Sequence, residues 1–443
     1  MEDKPRVVPR LYKRRWIMVL LFATYSLSNA YQWIHLNIIG DIVHKYYNAS
    51  MPGNEYQQLL ALDWLSMIYM LAYIPLIFPA TWLLDKKGLR LCGLLATFLN
   101  ALGAWIKCGA ISSDRFGVLM AGQTICAIAQ IFVLGIPARL AAVWFGPNEV
   151  STATAIGVFG NQIGCALGFL IPPQIVPYSD DLDFIGKRLS IMFYGGAAFM
   201  TLLFIIVFFV FKNGPPVPPS QAQACAVEHA AQEDYSASLL RLIRHKGFII
   251  LMITYGANTG SYYAIGTLLN PIVLNYFPGD NENAGLIGLT LVVAGVAGSI
   301  LAGLWLDKTK LYKWTTVGIY FMSFAGMIFF TFTLSLGKIW VVFVCSGALG
   351  FFMTGYLPVG FEFAAELTFP EPEGTSSGLL NASAQTFGIV LTLGLRALSD
   401  VYGMLPATIT ISAALLLGTI CTGGSSRLNN SHPILILYLF CQA

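Results

Sequence analysis

The sequence predicts an all-α membrane protein whose twelve spanning helices form two pseudo-symmetric six-helix bundles. Three observations carry this expectation. Hydrophobic residues make up 56% of the chain and charged residues only 11%, too little charge to coat a soluble domain. Apolar runs of about 17 to 25 residues recur along the chain, each long enough to cross a bilayer. A short charged turn occurs twice, half a chain apart. The first copy is Trp82-Leu83-Leu84-Asp85-Lys86-Lys87-Gly88-Leu89-Arg90, and the second is Trp305-Leu306-Asp307-Lys308-Thr309-Lys310-Leu311-Tyr312-Lys313. Asp85 and Asp307 lie 222 positions apart in 443 residues. Duplication with a membrane-edge turn in each half is the pattern of a two-bundle transporter.

The turn has a local logic. Asp85 can cap the helix that follows, Lys86, Lys87 and Arg90 sit at the membrane edge, and Gly88 turns the backbone where a side chain would clash. A single copy is also compatible with a plain solvated loop under the positive-inside rule. The stretch resembles the signature loop between helices 2 and 3 of the major facilitator superfamily. That resemblance implies a gating role for Asp85, Arg90 and Asp307.

The expected spans are roughly 16–41, 60–84, 90–110, 117–142, 151–173, 189–211, 248–272, 284–306, 314–336, 339–363, 376–398 and 404–421. These divide the chain into a cytoplasmic N-terminus (1–15), a first bundle (16–212), a linker (213–247), a second bundle (248–421) and an atypical tail (422–443). With the N-terminus cytoplasmic, 18 of the 25 Lys and Arg residues fall in inside segments. The other seven, Lys107 and Arg396 among them, fall outside. The bias puts both termini in the cytoplasm of a multi-pass plasma-membrane protein. The net charge of +3 therefore reports membrane orientation and gives no reason to expect nucleic acid.

A basic N-terminus running straight into a full-length span is not a cleavable signal. Asn48-Ala49-Ser50 is a glycosylation sequon in the first outside loop. Asn381-Ala382-Ser383 and Asn429-Asn430-Ser431 also fit the pattern, but one lies in a span and the other on the inside. The eight cysteines are scattered, with no CxxC pair, and read as small apolar fillers. No metal site and no cofactor is expected.

Helix 1 carries Asn29-Ala30-Tyr31-Gln32-Trp33-Ile34-His35, a dense run of polar and aromatic groups for a span. Asn29 and Trp33, four apart, share a face. Trp33 reads either as a cavity residue or as part of the interfacial belt. Asp63, near the outer end of helix 2, is a cap or a gate contact. Gln123 and Gln130 share a face of helix 4, and beyond them Arg139 has Glu149 as a candidate partner near the inner surface. Gly157, Gly160, Gly164 and Gly168 line helix 5 around Asn161 and Gln162, a spacing that lets helices approach closely. The linker holds Pro215, Pro216, Pro218 and Pro219, then a basic amphipathic stretch ending at Lys246. Helix 7 carries Tyr255, Asn258, Tyr262, Tyr263 and Asn270. Gln385 on helix 11 follows Asn161 by 224 positions, so the two should sit at matching depths.

The candidate cavity groups are Trp33, Gln130, Asn161, Tyr263 and Gln385, all aromatic or neutral amide. No pair of acids occupies helix centres, which argues against a proton relay. A neutral cage with aromatic faces suits a quaternary ammonium ion, which has no N–H to donate and is attracted by ring faces at roughly 0.5–2 kcal/mol each.

Gln32-Trp33-Ile34, Asp63-Trp64-Leu65-Ser66-Met67, Pro75-Leu76-Ile77-Phe78-Pro79-Ala80-Thr81-Trp82, Gly103-Ala104-Trp105-Ile106-Lys107-Cys108-Gly109, Trp144-Phe145-Gly146-Pro147 and Gly350-Phe351-Phe352-Met353-Thr354-Gly355-Tyr356-Leu357-Pro358 closely resemble the feline leukaemia virus subgroup C receptor-related transporters. The match spans about residues 10–420 and looks nearest to the first member of that family. The resemblance implies a major facilitator fold and transport of choline, with ethanolamine as a second substrate. A facilitative, alternating-access carrier is expected, since an inside-negative potential favours cation entry with no coupled ion, and the expected state is a monomer. It places the cage Trp at Trp33, the cage Tyr at Tyr263 and the amides at Gln130, Asn161 and Gln385. Family members were also described as haem exporters, so haem stays as the alternative substrate.

Several positions depart from the family. His35 replaces the usual Gln, and the loop from about Tyr47 to Gln57 is several residues longer. Helix 11 reads Leu393-Gly394-Leu395-Arg396 in place of a more polar run, and the chain after Cys421 lacks the basic cytoplasmic tail. A splice variant, or a receptor that does not transport, is the second alternative. A membrane enzyme finds no support, because the helices show no nucleophile–base spacing.

Overall fold

The computed structural model describes residues 10–146, 149–219, 235–309, 311–368 and 373–425, with the side chains of Asp85, Ser151, Tyr235, Ser236, Asp307 and Glu373 outside the described set. The gating expectations at Asp85 and Asp307 therefore fall outside it, as does the tail beyond Ser425. Among the described residues all regular structure is helical.

The first half runs α1 (Arg14–Ile34), a 3₁₀ turn (Asn37–Ile39), α2 (Gly40–Tyr47), α3 (Glu55–Lys87), α4 (Leu89–Cys108), α5 (Phe116–Leu134), α6 (Ile136–Trp144), α7 (Val150–Ile175) and α8 (Leu182–Val210). The short α9 (Tyr235–Arg244) follows the linker prolines and carries Arg241 and Arg244 in its last turn, as the amphipathic pattern predicted. The second half runs α10 (Lys246–Thr267), α11 (Leu269–Tyr276), α12 (Asn281–Thr309), α13 (Tyr312–Leu334), α14 (Ile339–Thr368), α15 (Glu373–Tyr402) and α16 (Met404–Gly424).

Ten helices among the described residues are long and apolar enough to cross a membrane. The expected first and seventh spans are not among these ten, and each is broken in the structure. Helix 1 ends at Ile34 and resumes as α2, after Ile39 leaves helical geometry at φ −110°, ψ 31°. Helix 7 breaks at Leu268, at φ −99°, ψ 11°, and resumes as α11. The two expected continuous spans, 16–41 and 248–272, are thereby corrected at matching places in the two halves. Their polar load is the physical reason for the weak apolar signal: Ser26, Ser28, Asn29 and Gln32 in α1, and Asn258, Thr259 and Ser261 in α10, are all buried. The expected fourth span is likewise split, at Gly135.

The glycine row of α7 serves packing. A Cβ at Gly160 would lie 2.5 Å from the Ala23 carbonyl oxygen, one at Gly164 2.8 Å from Ala30 Cβ, and one at Gly168 2.5 Å from Ile34, so α7 lies directly on α1. The second half repeats the contact between α10 and α15, where a Cβ at Gly260 would lie 2.6 Å from Phe387 and 2.7 Å from the Gly388 nitrogen. The first helix of each half is thus held against the fifth by backbone-to-backbone approach. Across the halves, α3 packs on α15 and α7 on α12, with Gly285 and Gly288 of α12 receiving Phe169 and Pro173 of α7.

Gly88 takes φ +82°, as the turn between α3 and α4 requires, and a side chain there would collide with Asn213. Asn213 instead accepts from the Arg90 backbone N–H at 3.1 Å, and the Arg90 guanidinium donates to the Phe208 carbonyl at 3.2 Å.

Candidate functional site

Trp33 lies in the last turn of α1 and Tyr263 in the last two turns of α10, just before the two breaks. Packing of α1 on α7, and of α10 on α15, brings the two broken ends together across the halves. The rings of Trp33 and Tyr263 meet edge to face, with centroids 5.7 Å apart and planes at 75°. Trp33 is 7% exposed, and its indole reaches toward Gly266, where a Cβ would lie 3.7 Å from both Trp33 and Phe169. The cavity reading of Trp33 fits this burial, whereas a belt residue would face lipid headgroups.

The three amides come from three other helices. Gln130 on α5 is half-buried, with Oε1 out of solvent and unpartnered. Asn161 on α7 reaches Ser26 Oγ of α1 through Nδ2 at 3.5 Å. Gln385 on α15 is buried. The two rings make direct contact, while among the described residues no hydrogen bond joins Gln130 or Gln385 to either of them.

The outer ends of the halves are joined by side chains. Arg396 of α15 donates Nε to Asp63 Oδ2 at 2.6 Å and Nη2 to Asp63 Oδ1 at 2.7 Å, with both side chains buried. Of the two readings for Asp63, a helix cap is not observed, since Asn54 caps α3, and Asp63 instead makes a contact across the halves. Asn270 of α11 donates Nδ2 to the Ile38 carbonyl at 2.8 Å and to Asp41 Oδ1 at 3.1 Å, while Asn281 of α12 donates to Asp41 Oδ2 at 3.0 Å. Ser66 of α3 meets Thr267 of α10 at 2.9 Å, and Gln174 donates to Glu282 at 3.2 Å. On the outer surface Lys45 donates to Asp180 and Tyr178, and the Asp180 bond raises its pKa above the ordinary lysine range.

At the inner edge the expected partner of Arg139 is corrected. Glu149 is gripped by Arg15, Nε to Oε2 at 2.9 Å and Nη2 to Oε1 at 3.0 Å. The contact of α1 with α7 delivers Arg15 to the start of α7, where Glu149 stands, and occupies both carboxylate oxygens. Asn48 is exposed, in a 3₁₀ turn between α2 and α3.

Two features escaped the sequence reading. One is the Asp63–Arg396 pair, whose members lie 333 positions apart. The other is Lys107, placed outside by its charge but here 1% exposed within the first bundle, where its ammonium donates to Gln32 Oε1. The signal that could have found Lys107 was the polar run opposite it on helix 1.

The Major Facilitator Superfamily profile matches residues 17–393. The chain is 54% identical over 414 residues to the choline/ethanolamine transporter flvcr2a of Danio rerio, covering 93% of this chain and 86% of that one. It is 51% identical to the choline/ethanolamine transporter FLVCR1 of Felis catus, covering 95% and 74%. It is 50% identical to FLVCR2 of Homo sapiens, covering 94% and 78%. Among solved structures, the D-xylose-proton symporter superposes with TM-score 0.69 at 14% identity over 92% of this chain and 97% of that one. An inward-facing bacterial homologue of the lysosomal transporter Spinster superposes with TM-score 0.68 at 12% identity over 95% and 98%. The last two speak to the fold alone. The helical architecture of its described residues and these relatives make the chain a multi-pass membrane transporter of the Major Facilitator Superfamily, belonging to the feline leukaemia virus subgroup C receptor-related family, and not an enzyme.

Proposed function

We propose that this transporter carries choline, with ethanolamine as a second substrate, by facilitative alternating access. The observation that carries the reading is the Trp33–Tyr263 ring pair, which joins the two halves. Nearly perpendicular rings can offer two faces to one ammonium once they part slightly, and ring faces attract a cation without needing an N–H donor. Gln130, Asn161 and Gln385 supply neutral hydrogen-bonding groups for the substrate hydroxyl or amine. An inside-negative potential favours inward movement of a monovalent cation by about 2.3 kcal/mol per 100 mV, so no coupled ion is required.

The closed outer side supports an inward-open resting state in which the bundles 16–212 and 248–421 rock about the cage. Asp85, Arg90 and Asp307, with Arg139 and the Arg15–Glu149 pair, form the inner gating elements. The protein resides in the plasma membrane as a monomer, with cytoplasmic termini and a glycan at Asn48. Haem fits the site less well. His35, the one in-span histidine, is buried and stacked on Tyr31 and does not face an open cavity that could admit a haem.

The test is uptake of labelled choline, ethanolamine and haem by cells expressing the parent and Trp33→Ala at matched surface levels. Choline and ethanolamine uptake that falls in Trp33→Ala supports the reading. Absence of choline uptake by the parent, or haem efflux that alone depends on Trp33, overturns it.

A further inference from the structure

Lys107 stands in the last turn of α4, and its ammonium is wholly enclosed. The phenols of Tyr46 and Tyr47 of α2 close over the outer end by donating to the carbonyls of Ile111 and Ala110. The groups facing it are His35 beyond the end of α1, Cys126 of α5 with Tyr69 of α3 beside it, and Cys108 of its own helix. The α8 face contributes Met200, which accepts from Gln32 Nε2 at 3.0 Å. No carboxylate is among its neighbours in the described residues. The ammonium gains from Gln32 Oε1 and from the carbonyl end of α4, whereas desolvation in a membrane interior opposes its charge. With no carboxylate to fix its charge, this enclosed amine is a group that can exchange a proton.

The partner of Lys107 is wired to both rings of the cage. Gln32 precedes Trp33 in the chain. Gln123 donates Nε2 to the Gln32 carbonyl at 2.7 Å and to the Leu65 carbonyl at 2.9 Å. Ser66, next to Leu65, meets Thr267, and Thr267 donates to the Tyr263 carbonyl at 2.9 Å. A change at Lys107 thus reaches the backbone that holds each ring. A positive charge on Lys107, which bonds Gln32, also opposes a second positive charge brought to the adjacent Trp33, in a medium that screens weakly.

We propose that Lys107 is a proton-exchanging positioning residue: it gives up its proton as a cation occupies the Trp33–Tyr263 site and regains it when the cation leaves. The proton passes to water at the outer end of α4, beside the loop from Gly109, once the Tyr46 and Tyr47 cover lifts as the outer side opens. The inference rests on the cationic-substrate reading above. By reciprocity of linkage, raising the pH tightens cation binding, and binding a cation releases protons.

The experiment is choline binding to the purified full-length protein in detergent between pH about 6 and about 9, where a desolvated lysine can titrate. The parent is expected to bind roughly tenfold or more tightly at the alkaline end. K107M, without charge, should bind tightly at every pH, and K107R, permanently charged, weakly at every pH. H35Q should keep the parent's slope, which separates Lys107 from its titratable neighbour. The inference falls if the parent binds choline with one affinity throughout, or if K107M and K107R both retain the slope. A parent that binds no choline at any pH overturns the substrate reading, and this inference with it.

Discussion

Arg396 holds both carboxylate oxygens of Asp63, at 2.6 and 2.7 Å, and so ties the outer end of α15 in one half to α3 in the other. Removing one partner of a buried pair costs about 3–5 kcal/mol, because the other charge stays enclosed. That cost falls only on the outward-closed state. Arg396→Ala should therefore shift the balance toward outward opening by two decades or more, at about 1.4 kcal/mol per decade. A cysteine at Leu62, now buried, should become reactive to an impermeant thiol reagent from outside. Asp63→Arg combined with Arg396→Asp should restore protection. Unchanged labelling in Arg396→Ala would remove the pair from the gate.

The ring pair predicts a graded series at position 33. Trp33→Ala should lower choline affinity by about 1–2 kcal/mol, close to tenfold. Trp33→Phe should lose less, since a weaker face remains, and Tyr263→Phe should be milder than Tyr263→Ala. Apparent KM from uptake at matched surface expression reads the order. A series in which Phe and Ala are equivalent would sink the cation–π account.

The glycine contacts predict opposite signs for one chemical change. Gly164→Ala and Gly260→Ala push a methyl into the backbone of a facing helix, and overpacking of this kind costs about 1–3 kcal/mol. Gly394→Ala meets open space on the same α15 that carries Arg396, and should gain up to about 1 kcal/mol of helix propensity. Melting temperatures in detergent test the contrast. Equal destabilisation by all three would show that the close approach is not what the glycines provide.

Gly88→Ala tests the inner turn. The left-handed region costs a non-glycine residue roughly 1–2 kcal/mol, and the methyl would also displace the Asn213 side chain that anchors the Arg90 backbone. Lower thermal stability and slower transport are expected together. Asp85→Asn should slow transport with folding intact, and normal transport by Asp85→Asn would count against a switching role for this turn.

Much of this molecule was legible in one dimension because membranes impose one-dimensional rules. Length and apolarity delimited most spans, the repeated Asp turn gave the duplication, and the spacing from Gly157 to Gly168 read directly as a packing face. The break near His35 was not legible, because no proline or paired glycine marks it, whereas the break at Leu268 had a signal in Pro271, whose nitrogen has no hydrogen to donate to the Thr267 carbonyl four residues back. The Asp63–Arg396 pair joins residues 333 positions apart, and no local pattern encodes such a contact. Lys107 misled because a lysine at a helix end normally reaches solvent. Here α2, folded across that end by Tyr46 and Tyr47, denies it water. In the site, the aromatic pair followed from chemistry and resemblance. The partner of Glu149 did not, since only the docking of α1 on α7 chooses Arg15 over Arg139.

The interrupted first and seventh helices have a mechanical meaning. Each leaves an outer segment of 8 residues, α2 or α11, attached to the main shaft at a single joint. A segment of that length is a lever of about 12 Å at 1.5 Å per residue. Asn270 latches the two levers to each other through Ile38 and Asp41. The outer mouth can then swing open as a pair of shutters while the shafts bearing Trp33 and Tyr263 stay seated on α7 and α15. With the ligand held at Trp33 and Tyr263 as proposed, access and recognition would fall on different stretches of the same two helices, and substitutions beyond the joints would retune the shutters without reshaping the ring pair.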